Sequence, residues 1–157
     1  MNPTQTVPEG YLVPPRQAHR VLVLLFMLMM FDFIDRQVVS AVLPLIKADW
    51  GLSDTQLGTL ISIVNVSIAL LALPTAIIVD RWSRAKSIGI MATVWSLGMG
   101  ACALSGTYLH LLVARFFVGA GEAGYQAGGN ALLSAMYPKR MRATVIGVFQ
   151  SAAFIGG

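Results

Sequence analysis

The sequence predicts an all-α polytopic membrane protein with four complete transmembrane helices and the start of a fifth. Hydrophobic residues make up 56% of the 157-residue chain and charged residues only 11%, and the mean hydropathy is +0.71. A soluble globule of this composition would have too few charges to cover its surface. Several apolar stretches also reach the roughly 20 residues that a helix needs to cross the hydrocarbon core.

The apolar stretches divide the chain into a tail and five helical segments. Residues 1–20 include four prolines and show no periodic pattern, which predicts a disordered tail. The predicted helices cover residues 21–46, 55–79, 86–107, 109–137 and 143–157. We expect the fifth helix to be truncated, because a chain that stops within the bilayer leaves backbone groups without partners. The chain is therefore interpreted as the front part of a longer protein, with the missing carboxyl-terminal half as its partner.

The basic residues predict the orientation in the membrane. The net charge is +4, and eight of the eleven Lys and Arg residues flank the predicted helices on one side: Arg16, Arg20, Arg81, Arg84, Lys86, Lys139, Arg140 and Arg142. Cytoplasmic loops carry such an excess of positive charge, so we expect a cytoplasmic amino terminus in a multi-pass protein of the bacterial inner membrane. Because this topology explains the basic residues, no nucleic-acid partner is expected.

The fourth predicted helix carries the main candidate site. At about 100° per residue, one face of this helix presents five polar or small residues: Arg115, Gly119, Glu122, Gln126 and Asn130. Burying an arginine and a glutamate in a hydrophobic segment is costly, which implies a water-lined cavity or charged partners on neighbouring helices. We interpret this helix as one wall of a transport pathway.

The first predicted helix interrupts its apolar pattern about halfway across, at Asp32, Asp35 and Arg36. The fourth helix runs in the opposite direction and has charges at a similar depth. We therefore expect Asp35, Arg36, Arg115 and Glu122 to form one network in which each charge has a neighbour of opposite sign.

The carboxylates of these two helices outnumber the arginines by one. A carboxylate that is poorly compensated in a low-dielectric site binds a proton more readily than it does in water. This predicts proton coupling through Glu122, with Asp35 as the second choice. A fixed structural network that exchanges no proton stays open as the alternative.

Two sequence patterns argue against enzymatic chemistry. Residues 119–124 match the dinucleotide fingerprint G-x-G-x-x-G, but they lie inside a predicted helix with no strand before them, so their glycines indicate close helix packing instead. The predicted spans also lack a His-rich metal cluster and a G-x-S-x-G nucleophile motif. We therefore expect no enzyme activity, metal or cofactor.

Three motifs follow one another in the order D-F-I-D-R-Q (residues 32–37) with I-K-A-D-W-G-L-S-D-T-Q-L-G (46–58), D-R-W-S-R (80–84), and R-F-F-V-G-A-G-E-A-G (115–124) continuing to residue 143. With these motifs the chain resembles the amino-terminal half of a major facilitator superfamily transporter, most closely the spinster-like branch. The resemblance implies two six-helix halves that rock around a site at the midplane of the membrane. Four of those helices and part of a fifth would lie in this chain.

The resemblance also implies a cytoplasmic gate formed by Asp80, Arg81 and Arg84, which would hold the two halves together when the transporter opens outward. Without the resemblance, the basic residues of this loop would be interpreted only as a cytoplasmic anchor that follows the positive-inside rule. Such an anchor does not require an aspartate. One departure concerns Asp32, which stands where spinster-like sequences usually have a neutral residue. The charge of the first-helix site is therefore expected to differ from that of the family.

The residues and the resemblance together predict a secondary active transporter, coupled to protons, for a lysolipid-like or other organic anion. Arg36 and Arg115 are the candidates for binding an anionic group, because a guanidinium fork matches a carboxylate or phosphate. Asp32, Gln126 and Asn130 are the further substrate-binding candidates. The expected partners are a small-molecule substrate, protons and the lipid bilayer. A membrane receptor or scaffold that retains the fold is the alternative function.

Overall fold

The computed structural model describes residues 13–157, so most of the predicted tail lies outside the described part. Helices account for nearly all of these residues, and no strand occurs among them. Six α-helices follow in the order α1 (Pro15–Trp50), α2 (Asp54–Arg81), α3 (Arg84–Ala103), α4 (Tyr108–Glu122), α5 (Tyr125–Met136) and α6 (Arg142–Gly156), with a short 3₁₀-helix (Lys139–Met141) before α6.

The first helix is longer at both ends than the sequence predicted. It begins at Pro15 instead of residue 21 and ends at Trp50 instead of residue 46. Proline is favourable in the first helical turn, since its missing N–H would have had no partner there. Residues 15–20, which were assigned to the tail, therefore belong to α1.

The fourth predicted span is two helices instead of one. α4 ends at Glu122, Ala123 and Gly124 form a turn, and α5 begins at Tyr125. Glycine costs about 1 kcal/mol relative to alanine inside a helix, and Gly119, Gly121 and Gly124 all lie around this break. α4 and α5 together cover the fourth predicted span, from Tyr108 to Met136.

Among the described residues, only α2 passes a test of length and composition for a membrane span, over Asp54–Val79 with a mean hydropathy of 2.2. By length and composition this helix could cross a membrane.

Residues Val39–Gly128 form one compact unit. Within it, α4 packs against both α2 and α3. A cluster of four buried leucines joins the end of α1 to the starts of α2 and α4: Leu43, Leu52, Leu60 and Leu111. These contacts place α4, which carries Arg115 and Glu122, at the centre of the unit.

The turn between α1 and α2 accounts for much of the motif at residues 46–58. Gly51 has a φ of 62°, in the left-handed region where glycine is favoured. Ser53 and Gln56 form a reciprocal capping box at the start of α2. Lys47 and Asp54 form an ion pair across the same turn. The motif thus defines a tight helical hairpin.

A second compact unit contains the described residues 13–38 together with Gly129–Gly157. Phe149 is fully buried in it, and a Cβ added at Gly129 would lie 3.3 Å from the Phe149 ring. Gln37 donates a hydrogen bond of 3.0 Å to the Gly157 carbonyl. α6 therefore packs against both α1 and α5 in this unit.

Candidate functional site

Arg115 is buried in the middle of α4 and is held by a neighbouring helix. The residue is only 8% exposed, and its Nε donates a hydrogen bond of 3.0 Å to the Leu60 carbonyl of α2. A buried cation without such acceptors would be strongly unfavourable. Arginine has five N–H donors, so this bond accounts for one of them and leaves the Nη atoms to other partners.

Glu122 is the last residue of α4 and is 6% exposed. It follows Arg115 by seven residues, which is two helical turns or about 10 Å along the axis. The two side chains thus lie on the same side of α4 and are both buried. α4 therefore carries one acidic and one basic residue inside the protein instead of presenting them at its surface.

Glycines allow the neighbouring helices to approach this part of α4. A Cβ at Gly119 would lie 2.5 Å from the Val64 carbonyl oxygen of α2. A Cβ at Gly121 would lie 2.7 Å from the Met91 carbonyl oxygen of α3. Real Cβ atoms do not tolerate such distances, so only glycine fits at either position. The interpretation of these glycines as close helix packing is confirmed.

Ser67 is a structural residue whose role the sequence did not reveal. It is fully buried, and its hydroxyl donates a hydrogen bond of 2.8 Å to the Phe116 carbonyl of α4. The nearby Ser62 and Asn65, which share its helix, are exposed. A signal was present in the spacing, because Leu60, Val64 and Ser67 recur at intervals of four and three residues and form the buried face of α2.

The charges of α1 are arranged differently. Asp32 is 3% exposed, and its Oδ1 accepts a hydrogen bond of 3.1 Å from the Nε of Arg36 one turn later. The Arg36 side chain is 41% exposed and its guanidinium lies 5.9 Å from the centre of the Phe33 ring. Asp35 is half-buried. The unusual Asp32 therefore supplies Arg36 with a partner within the same helix.

The structure places the two charge clusters in different compact units. Asp32, Asp35 and Arg36 belong to the unit that contains α6, whereas Arg115 and Glu122 belong to the unit centred on α4. The network that joins the two clusters therefore stays a prediction.

The remaining substrate-binding candidates lie beyond the turn, on α5. Gln126 is exposed, whereas Asn130 is half-buried and its Oδ1 is enclosed without a hydrogen-bond partner among the described residues. The face predicted for one helix is thus divided between α4 and α5. The assignment of both residues to a substrate site stays a prediction.

The gate candidates lie at the α2–α3 turn. Asp80 falls in the last turn of α2, but its side chain lies outside the described part of the structure. Arg81 is exposed at the end of α2, and Arg84 begins α3 half-buried. The turn between them is formed by Trp82 and Ser83. The gating role of these residues stays a prediction.

The helical architecture and the buried charges of α4 are typical of helical membrane proteins that enclose polar groups between their helices. Residues 25–157 match the family model of the Major Facilitator Superfamily, and the chain belongs to this family. It is an integral membrane protein of a transporter family, not of an enzyme family. The predicted fold class and the resemblance are both confirmed.

Individual relatives and a solved structure agree with the family assignment. A hexuronate transporter of Bacillus subtilis (strain 168) is 32% identical over 87% of this chain and 32% of its own length. A gallate transporter of Pseudomonas putida is 30% identical over 87% of this chain and 31% of its own length. A bacterial homologue of the human lysosomal transporter Spinster, crystallised in an inward-facing and unoccupied conformation, is 31% identical, with a TM-score of 0.86 over 91% of this chain and 30% of that chain.

The chain thus spans about a third of the length of the curated relatives it matches. It corresponds to the amino-terminal part of the superfamily fold.

Proposed function

We propose that the protein containing this chain is a secondary active transporter that moves a small organic anion by alternating access, coupled to protons. The observation that carries the proposal is the burial of Arg115 and Glu122 on the central helix of a transporter fold, at 8% and 6% exposure. Ionisable groups within a membrane protein are costly and generally mark a substrate or proton pathway.

The relatives support an organic anion over a lysolipid as the substrate class. The two curated relatives described above are transporters of hexuronate and of gallate. Both solutes carry a carboxylate, which matches the planar fork of an arginine. In this proposal Arg36 and Arg115 bind the carboxylate, while Asp32, Gln126 and Asn130 contact the rest of the solute.

Glu122 carries the proton in this proposal, and Asp35 is the second candidate. A buried carboxylate two helical turns from a buried arginine can bind the proton while the arginine binds the anion, because each event changes the electrostatic environment of the other. Asp80, Arg81 and Arg84 would close the cytoplasmic side. The amino terminus would be cytoplasmic, in the inner membrane of a bacterium, as the excess of basic residues on that side predicts.

The replacement of Glu122 by glutamine tests the coupling, since glutamine keeps the size and polarity of the side chain but cannot take up a proton. The full-length Glu122→Gln protein in proteoliposomes should lose uptake driven by a pH gradient while retaining exchange of labelled for unlabelled anion. The matched control is Asp49→Asn, which neutralises an exposed carboxylate at the carboxyl end of α1 and should behave as wild type. Undiminished gradient-driven uptake by Glu122→Gln would remove Glu122 from the coupling role.

A receptor or scaffold that retains the fold is the competing function. The same proteoliposomes separate the two, because a receptor binds its ligand without net flux. Saturable binding of hexuronate or gallate with no transport in either direction would favour the receptor.

A further inference from the structure

The first turns of α1 border a large groove that the transport proposal does not use. Its volume is about 770 Å³, and it is lined by Pro15, Arg16, His19, Arg20, Val23 and Leu24. This groove, called the α1 groove below, belongs to the unit that contains α6.

The α1 groove is basic at one end and apolar at the other. Arg16 and Arg20 are exposed one turn apart, and Val23 and Leu24 lie on the following turn with exposures of 58% and 69%. Residues at this spacing lie on the same side of a helix. The exposed surface therefore changes from cationic to apolar within about 12 Å along α1.

A second group of basic residues lies beside the groove. The His19 ring contacts the Tyr137 ring edge-on, with centroids 5.7 Å apart. The Tyr137 carbonyl accepts a hydrogen bond of 3.2 Å from the Nε of Arg142. Lys139 and Arg140 follow Tyr137 in the short 3₁₀-helix and are exposed. The turn before α6 thus brings further positive charge to the start of α1.

No described carboxylate of the same unit lies near this charge. Among the described residues of this unit, the acidic side chains are those of Asp32 and Asp35. Asp32 follows Arg20 by twelve residues, or about 18 Å along the helix. The basic end of the α1 groove is therefore suited to an anion, and its apolar end to a hydrocarbon chain.

We propose that the α1 groove binds an anionic phospholipid of the leaflet that faces the amino terminus. The phosphate would bind to Arg16 and Arg20, and the first part of an acyl chain would pack on Val23 and Leu24. Charge complementarity selects this occupant, because basic pockets next to membrane helices attract anionic head groups, whereas a neutral lipid gains only the apolar contact. The site shares no residue with the proposed transport pathway and does not depend on the proposed transport.

Native mass spectrometry of the full-length protein tests the proposal with phosphatidylglycerol and phosphatidylcholine of identical acyl chains. Wild-type protein should bind phosphatidylglycerol more tightly. The double variant Arg16→Gln/Arg20→Gln should reduce this preference roughly fivefold to thirtyfold, as expected for two cationic contacts near a membrane surface. The matched control is Arg81→Gln/Lys86→Gln, which removes two exposed charges from the α2–α3 turn and should retain the preference.

Three outcomes would overturn the proposal. An unchanged preference in Arg16→Gln/Arg20→Gln would show that the groove does not select the lipid. An equal loss in the control variant would assign the effect to overall charge. Displacement of the lipid by millimolar glycerol phosphate would identify a site for a soluble phosphate, because a site that also uses the acyl chain should retain its lipid.

Discussion

The two charged segments of the chain hold similar side chains by different means. In α4, Arg115 bonds to the backbone of another helix, and glycines bring α2 and α3 within contact distance. In α1, Arg36 bonds to Asp32 of its own helix, and the Arg36 side chain is 41% exposed. The α4 charges are therefore held by tertiary packing, whereas the α1 pair is held by local helical geometry.

This difference predicts which changes each segment tolerates. A helix whose glycines contact neighbouring backbone cannot accept extra volume, because backbone atoms move only when the whole helix moves. An ion pair between residues four apart in one helix tolerates added volume on neighbouring helices, since its geometry depends only on its own helix. The α4 segment should be sensitive to volume, and the α1 segment to charge.

The largest effect is expected from Gly119→Ala. The added methyl group would overlap the Val64 carbonyl, at 2.5 Å, and would move α4 away from α2. Overpacking of this kind costs about 1–3 kcal/mol. The measurement is the melting temperature of the purified protein in detergent, which should decrease clearly.

Gly89→Ala is the control for that variant, because a Cβ at Gly89 meets nothing within 4 Å. Alanine is the better helix former, so the control should be neutral or slightly stabilising. Equal melting temperatures for Gly119→Ala and Gly89→Ala would contradict the tight packing of α4.

An intermediate effect is expected from Ser67→Ala. Loss of its hydrogen bond to the Phe116 carbonyl should cost roughly 1 kcal/mol, the usual contribution of a buried hydrogen bond. Ser62→Ala, an exposed serine on the same helix, should change stability little. A double mutant of Ser67 and Gly119 should show non-additive melting temperatures, since the two residues contact each other.

The smallest effect on stability is expected from Arg36→Gln. The i, i+4 pair with a partly exposed arginine contributes only about 0–1 kcal/mol, so the melting temperature should hardly change. If Arg36 binds the anion, the same variant should raise the KM for uptake at least tenfold, as expected for loss of a charge-assisted hydrogen bond. Lys47→Gln, which breaks an ion pair at the α1–α2 turn, should leave the KM unaltered.

Much of this arrangement was visible in the amino-acid sequence. The polar residues within apolar segments identified α1 and α4 as the charged helices, and the spacing of Arg115 and Glu122 placed both on one face. The spacing of Asp32 and Arg36 also fits an ion pair, a signal that was present although Asp32 was interpreted only as a departure from the family pattern and as a substrate-binding candidate. Patterns within one helix are predictable because they depend on helical geometry alone.

Other features had no sequence signature. The acceptor for Arg115 is a backbone carbonyl, which every residue possesses, so no residue type marks Leu60 as its partner. The break at Ala123 and Gly124 was also missed, because isolated glycines are tolerated in membrane helices and only the packing around them decides whether the helix continues.

The sequence by itself determined that the chain is helical and which helices carry charge, because hydropathy and helical periodicity are properties of the residues in order. Its motifs, not its periodicity, showed the resemblance to the major facilitator superfamily. Tertiary structure alone decided that Gly119 and Gly121 contact backbone, that Ser67 bonds to α4 and that Arg115 bonds to α2. The physical reason is that these contacts depend on distances between helices, and those distances are set by how side chains from different segments fill the space between them.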